Sequence, residues 1–312
     1  MMMFSPPRVG AAVAPPRVAL AARRALSAKP DAAPLVGRTL SASGILTLRF
    51  QNEKKLNAWT MPLMKQAFGA LAEAATDDAV KGVVVTGSGK YYSAGVDLSS
   101  MIQPMAPSKL VRQIRDQNEQ CFRSFLDFPK PIVAAVNGPA IGAAVTSAIL
   151  MDRVLALPDA SSFSLPFAKL GVPPEGCSSV TFPERMGAEA AERMLGAENW
   201  IPTGQQALDA GLIDEVVDGD ADALVARAVD VVTELVAAGG GRRFDATELD
   251  RLLKVNALES ATLANAFVSP KFLGAMQDFN TRRKKSQLAS FFWLAKASLP
   301  VWQPAKIAPS MS

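Results

Sequence analysis

Histidine is absent from this chain of 312 residues, and cysteine occurs only twice, as Cys121 and Cys177. Without histidine, Ser-His-Asp and Cys-His catalysis and His-ligated zinc sites are excluded. Acid–base chemistry must therefore use Asp, Glu, Lys, Tyr or Cys. Two cysteines argue against a disulfide scaffold and indicate a reducing compartment. No uninterrupted apolar run reaches the roughly 20 residues that a membrane-spanning helix requires.

The composition is that of an ordinary soluble globular protein, with 49% hydrophobic and 20% charged residues. The length suits one large domain with appendages, or two domains. The net charge is only +4, and much of it comes from one basic cluster near each end.

The first basic cluster lies in residues 1–35, which are rich in Ala and Arg and contain no acid before Asp31. This composition is typical of an organelle transit peptide, and it favours the mitochondrion over the plastid. The alternative is a disordered basic tail. The cations of this segment are Arg8, Arg17, Arg23, Arg24 and Lys29.

Beyond this segment, strand patterns alternate with helix patterns, which predicts βαβ units and a mostly parallel sheet. The predicted strands are residues 44–50, 81–89, 131–138 and 152–159, and the predicted helices are 61–78, 108–128 and 140–151. Thr203 is a good N-cap for a later helix.

The pattern predicts a core domain over residues 36–238. After the Gly-Gly-Gly at 239–241, residues 239–286 read as a helical region without strands. Residues 287–312 form a C-terminal extension with an aromatic stretch, FFWLAKASLPVW. This stretch is either a membrane-surface helix or a segment that packs against a neighbouring subunit.

Three short stretches could carry chemistry. The loops 87–101 and 137–148 follow buried strands and are rich in small residues, so their backbone N–H groups could converge as an oxyanion hole. Each loop alone is more typical of plain turn chemistry. The third stretch, GVPPEGCSSVTF, places Glu175 beside two prolines that exclude it from a long helix. A glutamate there is either a solvated turn residue or a base on a stiff turn.

Taken together, the segments YYSAGVDL, NGPAIGAAVT and LGVPPEGCSS resemble the crotonase superfamily, over about residues 40–286. The resemblance is closest to the Δ3,Δ2-enoyl-CoA isomerase branch, in which a PEGCSS segment followed by TFP carries the catalytic glutamate. KVNALE (254–259) and FNTRRKKS (279–286) also resemble that branch. The implied fold is an α/β crotonase fold, with repeated ββα units forming a spiral core and a C-terminal helical trimerisation region.

The resemblance implies that Glu175 is the catalytic base and that the N–H groups of Val96 and Ala143 form the oxyanion hole. Family members that hydrate enoyl-CoA carry two glutamates, whose positions here are Thr146 and Phe167. Hydration should therefore be poor or absent. Burial of Glu175 in an apolar pocket should raise its pKa towards the range useful for proton transfer.

The residues expected to contact substrate are Lys54, Lys55, Asn57, Ala94, Gly95, Asp97, Leu98, Gly142, Phe167 and Lys285. The basic side chains among them could bind CoA phosphates or lie solvated; the same alternatives hold for Lys90, Arg282, Arg283 and Lys284. Asp97 is favoured as a structural cap over a second acid, and Cys177 as a packing residue over a nucleophile. Tyr91 and Tyr92 either line an acyl tunnel or are simply buried.

The resemblance thus implies an isomerase that converts 3-enoyl-CoA to trans-2-enoyl-CoA in the β-oxidation of unsaturated fatty acids. It would need no metal or redox cofactor, because CoA enters with the acyl-CoA substrate. A homotrimer or hexamer in the mitochondrial matrix is expected, with the peroxisome as the alternative location and no nucleic-acid partner. The rival functions are another crotonase reaction (weak hydratase or dienoyl-CoA isomerase) and a non-catalytic acyl-CoA-binding scaffold.

Overall fold

A six-stranded sheet and a small two-stranded sheet form the centre of the computed structural model, which describes residues 34–98, 106–302 and 308. The strands are β1 (Val36–Leu40), β2 (Ile45–Phe50), β3 (Gly82–Gly87), β4 (Ile132–Val136), β5 (Pro139–Ile141), β6 (Arg153–Ala156), β7 (Ser162–Ser164) and β8 (Glu215–Val216). The large sheet has the order β1-β2-β3-β4-β6-β8, and β5 pairs with β7. Only β1 pairs antiparallel; the other pairs of described strands are parallel, as predicted.

The helices surround these sheets and continue beyond them towards the C-terminus. They are α1 (Met61–Thr76), α2 (Pro107–Leu126), α3 (Ala143–Ile149), α4 (Phe167–Leu170), α5 (Ser178–Leu195), α6 (Gly204–Asp209), α7 (Ala221–Ala237), α8 (Ala246–Ala266), α9 (Pro270–Arg282) and α10 (Ser286–Trp302). Thr203 caps α6 through a complete capping box with Gln206, which confirms the predicted N-cap. No helix in the described ranges is both long enough and apolar enough to cross a membrane.

The central strands β3 and β4 are buried on both faces of the large sheet, and this is why they read as continuous apolar runs. In β3, Val83 and Val85 join the main core, whereas Val84 faces the opposite cluster. That second cluster is covered by α7 through residues such as Leu224 and Val232. The alternation follows from the two-residue period of a strand.

Two successive ββα units place the candidate loops. β4, β5 and α3 follow one another, and then β6, β7 and α4 do, each unit using one strand from each sheet. This confirms the predicted ββα repeat. The fold differs from the prediction at 140–151, because residues 139–141 form β5 and the helix begins only at Ala143. Gly142, with φ of 58° and ψ of −126°, separates the strand from the helix.

The chain divides into two units, Met1–Pro34 and Leu35–Ser312. The predicted transit peptide, except for its last two residues, lies outside the described residues, and the divisions near 238 and 286 stay predictions. The aromatic stretch at 291–302 falls within α10, which packs on α9 through Phe292 and Leu299. Its Trp293 and Leu294 remain exposed.

A buried ion pair joins the start of the C-terminal region to the core. The guanidinium of Arg242 donates to Asp152 at 2.9 Å and to the carbonyls of Phe125, in the last turn of α2, and Phe128, just after that helix. The second carboxylate oxygen of Asp152 accepts the N–H of Ile132. Because Asp152 is 1% exposed, the guanidinium is needed to compensate its charge.

Arg242→Ala should lower the free energy of unfolding by about 3–5 kcal/mol, since it leaves the buried Asp152 carboxylate without its cation. Urea denaturation at neutral pH measures the loss. Arg123→Ala is the matched control, because Arg123 pairs with Asp127 at the surface; its loss should stay below about 1 kcal/mol. Equal losses in the two variants would contradict the assigned role of Arg242.

Candidate active site

A cavity of about 1180 Å³ opens beside α2, α8 and α9. The loop after β3, the Gly142–Ala143 turn after β5 and the turn before α5 all reach it. Val96, Ala143 and Glu175, the three residues expected to carry chemistry, all line this cavity. The three separate stretches of sequence therefore meet in one place.

The two glycine-containing loops are joined by backbone hydrogen bonds. The N–H of Ile141 donates to the carbonyl of Ser93 at 3.0 Å, and the N–H of Ser93 donates to Pro139 at 3.3 Å. Gly95 must lack a side chain, because a Cβ there would lie 2.3 Å from the Ile141 carbonyl oxygen and 3.9 Å from the Ala143 nitrogen. The close approach brings Gly95, the residue before Val96, next to the turn that carries Ala143.

Each candidate oxyanion donor follows a glycine with positive φ, 73° at Gly95 and 58° at Gly142. These conformations, which glycine adopts without strain, orient the next peptide N–H. Within the described ranges, the N–H groups of Val96 and Ala143 have no backbone or side-chain acceptor, whereas the N–H of Gly142 donates to Ser164. Two unpaired N–H donors beside one cavity are the arrangement that stabilises a developing oxyanion.

Asn57 does not line this cavity, which corrects the expectation that it contacts substrate. Its side chain is fully buried, and its Nδ2 donates to the carbonyls of Ser88 and Tyr91 at 2.9 and 2.8 Å. Its Oδ1 accepts the N–H of Asn52. Asn57 therefore holds the first loop in shape.

Glu175 lies on the short turn between Pro174 and α5 and is 8% exposed. The next two residues, Gly176 and Cys177, both have left-handed φ values of 63° and 62°. Gly176 sits against the ring of Phe122, which a Cβ would approach to 2.6 Å. Glu175 thus lies on a turn, as the two prolines predict, and this turn presents a buried carboxylate to the cavity.

Burial raises the pKa of Glu175 from 4.5 to about 7. The side chain of Asn118 opposes this shift, because its Nδ2 donates to Glu175 Oε2 at 2.6 Å and stabilises the charged form. The Glu259 carboxylate acts in the other direction and raises the pKa of Glu175 further. A pKa near 7 suits a group that must both accept and return a proton.

Sequence reasoning missed Asn118. The sequence carries a signal for it, since Asn118 falls on the inward face of α2 at helical spacing from the buried residues Val111, Ile114, Cys121 and Phe125. A polar residue on an apolar face requires a partner. Its Oδ1 accepts a hydrogen bond from Ser260 of α8 at 2.8 Å, which turns its Nδ2 towards Glu175.

A family model described as enoyl-CoA hydratase/isomerase matches residues 41–284, most of the chain and all of the cavity-forming loops. The chain belongs to the enoyl-CoA hydratase/isomerase family. Its fold is the crotonase fold, as the sequence resemblance implied.

Individual relatives agree with this assignment. The chain is 35% identical over 263 residues to enoyl-CoA delta isomerase 2 of Rattus norvegicus, covering 78% of this chain and 63% of the rat protein. It is 33% identical over 254 residues to the peroxisomal enoyl-CoA delta isomerase 3 of Mus musculus, covering 80% and 79%. Among solved structures, Pseudomonas aeruginosa OdaA aligns with a TM-score of 0.67 at 27% identity, over 79% of this chain and 99% of OdaA.

Two positions were expected to carry glutamates in the hydratases of the family. In this chain they are Phe167 and Thr146, and neither provides a carboxylate. Phe167 lines the cavity, and Thr146 is fully buried, its hydroxyl donating to the Ala143 carbonyl. The other acids that line the described part of the cavity are Asp97 and the exposed Asp278. Asp97 pairs with Lys55 at 3.4 Å. Glu175 is thus the buried carboxylate of this wall.

The remaining residues expected to contact substrate do line the cavity of this family member. They are Lys54, Lys55, Ala94, Gly95, Asp97, Leu98, Gly142, Phe167 and Lys285. Cations that the sequence did not single out join this lining, namely Lys169, Lys271 and Lys296. Arg282 and Arg283 line it too, whereas Lys90 and Lys284 are not part of the lining.

The structure locates three side chains for which the sequence left alternatives open. Tyr91 lines the cavity, whereas Tyr92 is fully buried in the core. Cys177 is fully buried, and its thiol donates to the carbonyl of Leu252 at 3.3 Å. Burial also raises the pKa of the Cys177 thiol, so Cys177 is a packing residue.

Because the pKa of Glu175 is raised, the free energy of unfolding of the parent protein should fall, relative to that of Glu175→Gln, as the pH increases. Between pH 4.5 and about 7 the folded state holds a proton that the unfolded state has lost. Raising the pH through this window therefore lowers the free energy of unfolding, by up to about 3 kcal/mol. Urea denaturation of both proteins at pH 5 and pH 8 measures the difference.

Glu189→Gln is the control, because Glu189 is an exposed residue of α5. Its stability relative to the parent should not change across this window. A Glu175→Gln difference that is the same at both pH values would show that burial does not hold the proton on Glu175.

Proposed function

We propose that this protein is a Δ3,Δ2-enoyl-CoA isomerase that acts on 3-enoyl-CoA. The observation that carries the proposal is the buried Glu175 carboxylate, whose pKa is raised to about 7, in the same cavity as the N–H groups of Val96 and Ala143, which have no acceptor among the described residues. Phe167 and Thr146 stand where hydration would require carboxylates. Both curated relatives described above are named as enoyl-CoA delta isomerases.

In the proposed reaction, ionised Glu175 removes a proton from C2 of the 3-enoyl thioester. The C–H electron pair moves into a dienolate, and its negative charge lies on the thioester oxygen. The N–H groups of Val96 and Ala143 donate to that oxygen, an interaction worth roughly 3–4 kcal/mol per donor in related sites. Protonated Glu175 then returns the proton at C4, which leaves a trans-2-enoyl-CoA and restores the carboxylate.

The rest of the cavity supports an acyl-CoA substrate. Apolar side chains such as Leu98, Ile114 and Phe167 line part of it and suit an acyl chain. Lysines and arginines, including Lys54, Lys55 and Lys285, also line the cavity and suit the phosphates of CoA. The chemistry proposed here uses no metal or redox cofactor, since CoA arrives with the substrate.

The rival reactions fit the cavity less well. A dienoyl-CoA isomerase needs a second acid facing Glu175, but Asp97 pairs with Lys55. A non-catalytic acyl-CoA scaffold would not need a carboxylate whose pKa is raised to about 7 at the oxyanion donors.

For its setting, we infer β-oxidation of unsaturated fatty acids in the mitochondrial matrix, from the basic segment 1–35. The peroxisome is the alternative, since the name of the mouse relative assigns that protein to the peroxisome. A homotrimer or hexamer is the proposed assembly. No nucleic-acid partner is proposed.

Glu175→Gln should abolish isomerisation of 3-hexenoyl-CoA and 3-dodecenoyl-CoA, because an amide cannot accept the C2 proton. The expected loss in kcat is roughly 10²–10⁴-fold, measured from the absorbance of the conjugated product. Glu189→Gln, the exposed control on α5, should keep the parent's rate. Binding of a saturated acyl-CoA by an otherwise inactive parent protein would favour the scaffold instead.

Hydration of 2-hexenoyl-CoA should be negligible beside isomerisation. Phe167 and Thr146 supply no carboxylate to hold and activate a water. Loss of the conjugated thioester absorbance, with detection of the 3-hydroxyacyl product by mass spectrometry, measures hydration. A hydration rate comparable to the isomerisation rate would contradict the single-base mechanism.

A further inference from the structure

We propose that two adjacent residues of α8, Glu259 and Ser260, are positioning residues for the base. Glu259 holds the backbone of the turn that carries Glu175, and Ser260 holds the side chain that binds its carboxylate. This inference rests on the proposed function, because it assigns roles within the same proton transfer.

Glu259 binds the turn through both of its carboxylate oxygens. Oε2 accepts the N–H of Cys177 at 2.6 Å, and Oε1 accepts the N–H of Ser179 at 3.0 Å. These N–H groups belong to the start of α5, where a helix has no acceptors of its own. Glu259 is 6% exposed, and burial raises the pKa of its carboxyl. The N–H donors of Cys177 and Ser179 oppose that shift, because they stabilise the charged form.

The turn needs such an anchor. Gly176 and Cys177 both have left-handed φ values, and Cys177 is not a glycine. A side-chain-bearing residue keeps this conformation only where its surroundings hold it. Besides Glu259, the carbonyl of Leu252 holds Cys177 by accepting its thiol at 3.3 Å. Leu252 and Glu259 both belong to α8. The position of α8 therefore determines how the turn orients the side chain of Glu175.

Ser260 acts on Glu175 indirectly, through the side chain of Asn118. The hydroxyl of Ser260 donates to Asn118 Oδ1 at 2.8 Å, and Asn118 Nδ2 donates to Glu175 Oε2 at 2.6 Å. Ser260 is fully buried. Consecutive helical residues point about 100° apart, which lets Glu259 reach α5 while Ser260 reaches α2.

Glu259 and Asn118 shift the pKa of Glu175 in opposite directions. The charge of Glu259 raises the pKa of Glu175, whereas the hydrogen bond from Asn118 lowers it. The titratable groups coupled to Glu175 are Glu259 on α8 and the Cys121 thiol on α2, whose pKa is itself raised by burial. Substitutions of the two α8 residues should therefore move the pH dependence in opposite directions.

The test uses the full chain with Glu259→Gln and Ser260→Ala, and measures kcat, KM and the pH dependence of kcat with 3-hexenoyl-CoA. In the parent protein, kcat should rise through a pKa of about 7 as Glu175 ionises. Glu259→Gln should lower kcat by roughly 10- to 100-fold through misplacement of the base and move this rise to lower pH. Ser260→Ala should move it to higher pH. KM should stay near the parent value in both.

The control is Asp250→Asn, which changes an exposed carboxylate of α8 to an amide and should alter neither kcat nor the pH profile. Binding of hexanoyl-CoA by calorimetry reports whether each variant is folded. If Glu259→Gln does not fold, Ser260→Ala decides the question. In a protein that already carries Asn118→Ala, adding Ser260→Ala should change neither kcat nor the pH profile further, because Ser260 acts through Asn118.

The outcomes separate this inference from the proposed function. A parent protein that isomerises 3-hexenoyl-CoA, together with α8 variants whose kcat and pH profiles match it, would overturn the positioning roles and leave the function standing. A parent protein without isomerase activity would remove the function, and with it these roles. Opposite shifts of the pH profile in the two variants would support the inference.

Discussion

The burial of one carboxylate determines how the rest of the site is arranged. At 8% exposure, Glu175 has lost most of its hydration, and this loss raises its pKa to about 7. A desolvated carboxylate is tolerated only where its remaining oxygen sites find donors. Asn118 supplies that donor at 2.6 Å, and the single hydrogen bond offsets the desolvation only in part. The balance leaves a group that can change its protonation state near neutral pH, which is the property a proton shuttle needs.

The candidate oxyanion donors in the same cavity belong to the backbone, which explains why the glycines before them matter. Gly95 and Gly142 adopt positive φ values that orient the next N–H, and Gly95 approaches the Ile141 carbonyl more closely than a Cβ permits. The two loops are fixed by the hydrogen bonds between Ser93 and Ile141 and by the buried Asn57. In the proposed mechanism these contacts would hold the donors in place before substrate binds, as a preorganised oxyanion hole requires.

Much of the fold could be predicted from periodicity. The strands β3, β4 and β6 are largely apolar runs and β2 alternates apolar with polar residues; the sequence predicts all four within a few residues of their observed ends. Short elements such as β5 were not predicted, because three residues carry no period and pair only through tertiary contact. At the site, Glu175, Val96 and Ala143 followed from the family resemblance. The roles of Asn57 and Asn118 did not, since a side-chain amide serves equally well as a ligand contact or as a buried structural partner.

By itself, the sequence determined the chemical repertoire: with no histidine, a glutamate on a proline-stiffened turn is the natural base, and the missing carboxylates at Thr146 and Phe167 argue against hydration. It also determined the glycine turns, since these are local backbone requirements. Only the tertiary structure decided the environment of Glu175. Glu259, Ser260 and Asn118 lie 57 to 85 positions away along the chain, and their hydrogen bonds depend on how α8 packs across α2 and the start of α5. Desolvation and hydrogen bonding set a pKa through neighbours in space, and no local pattern of residues encodes them.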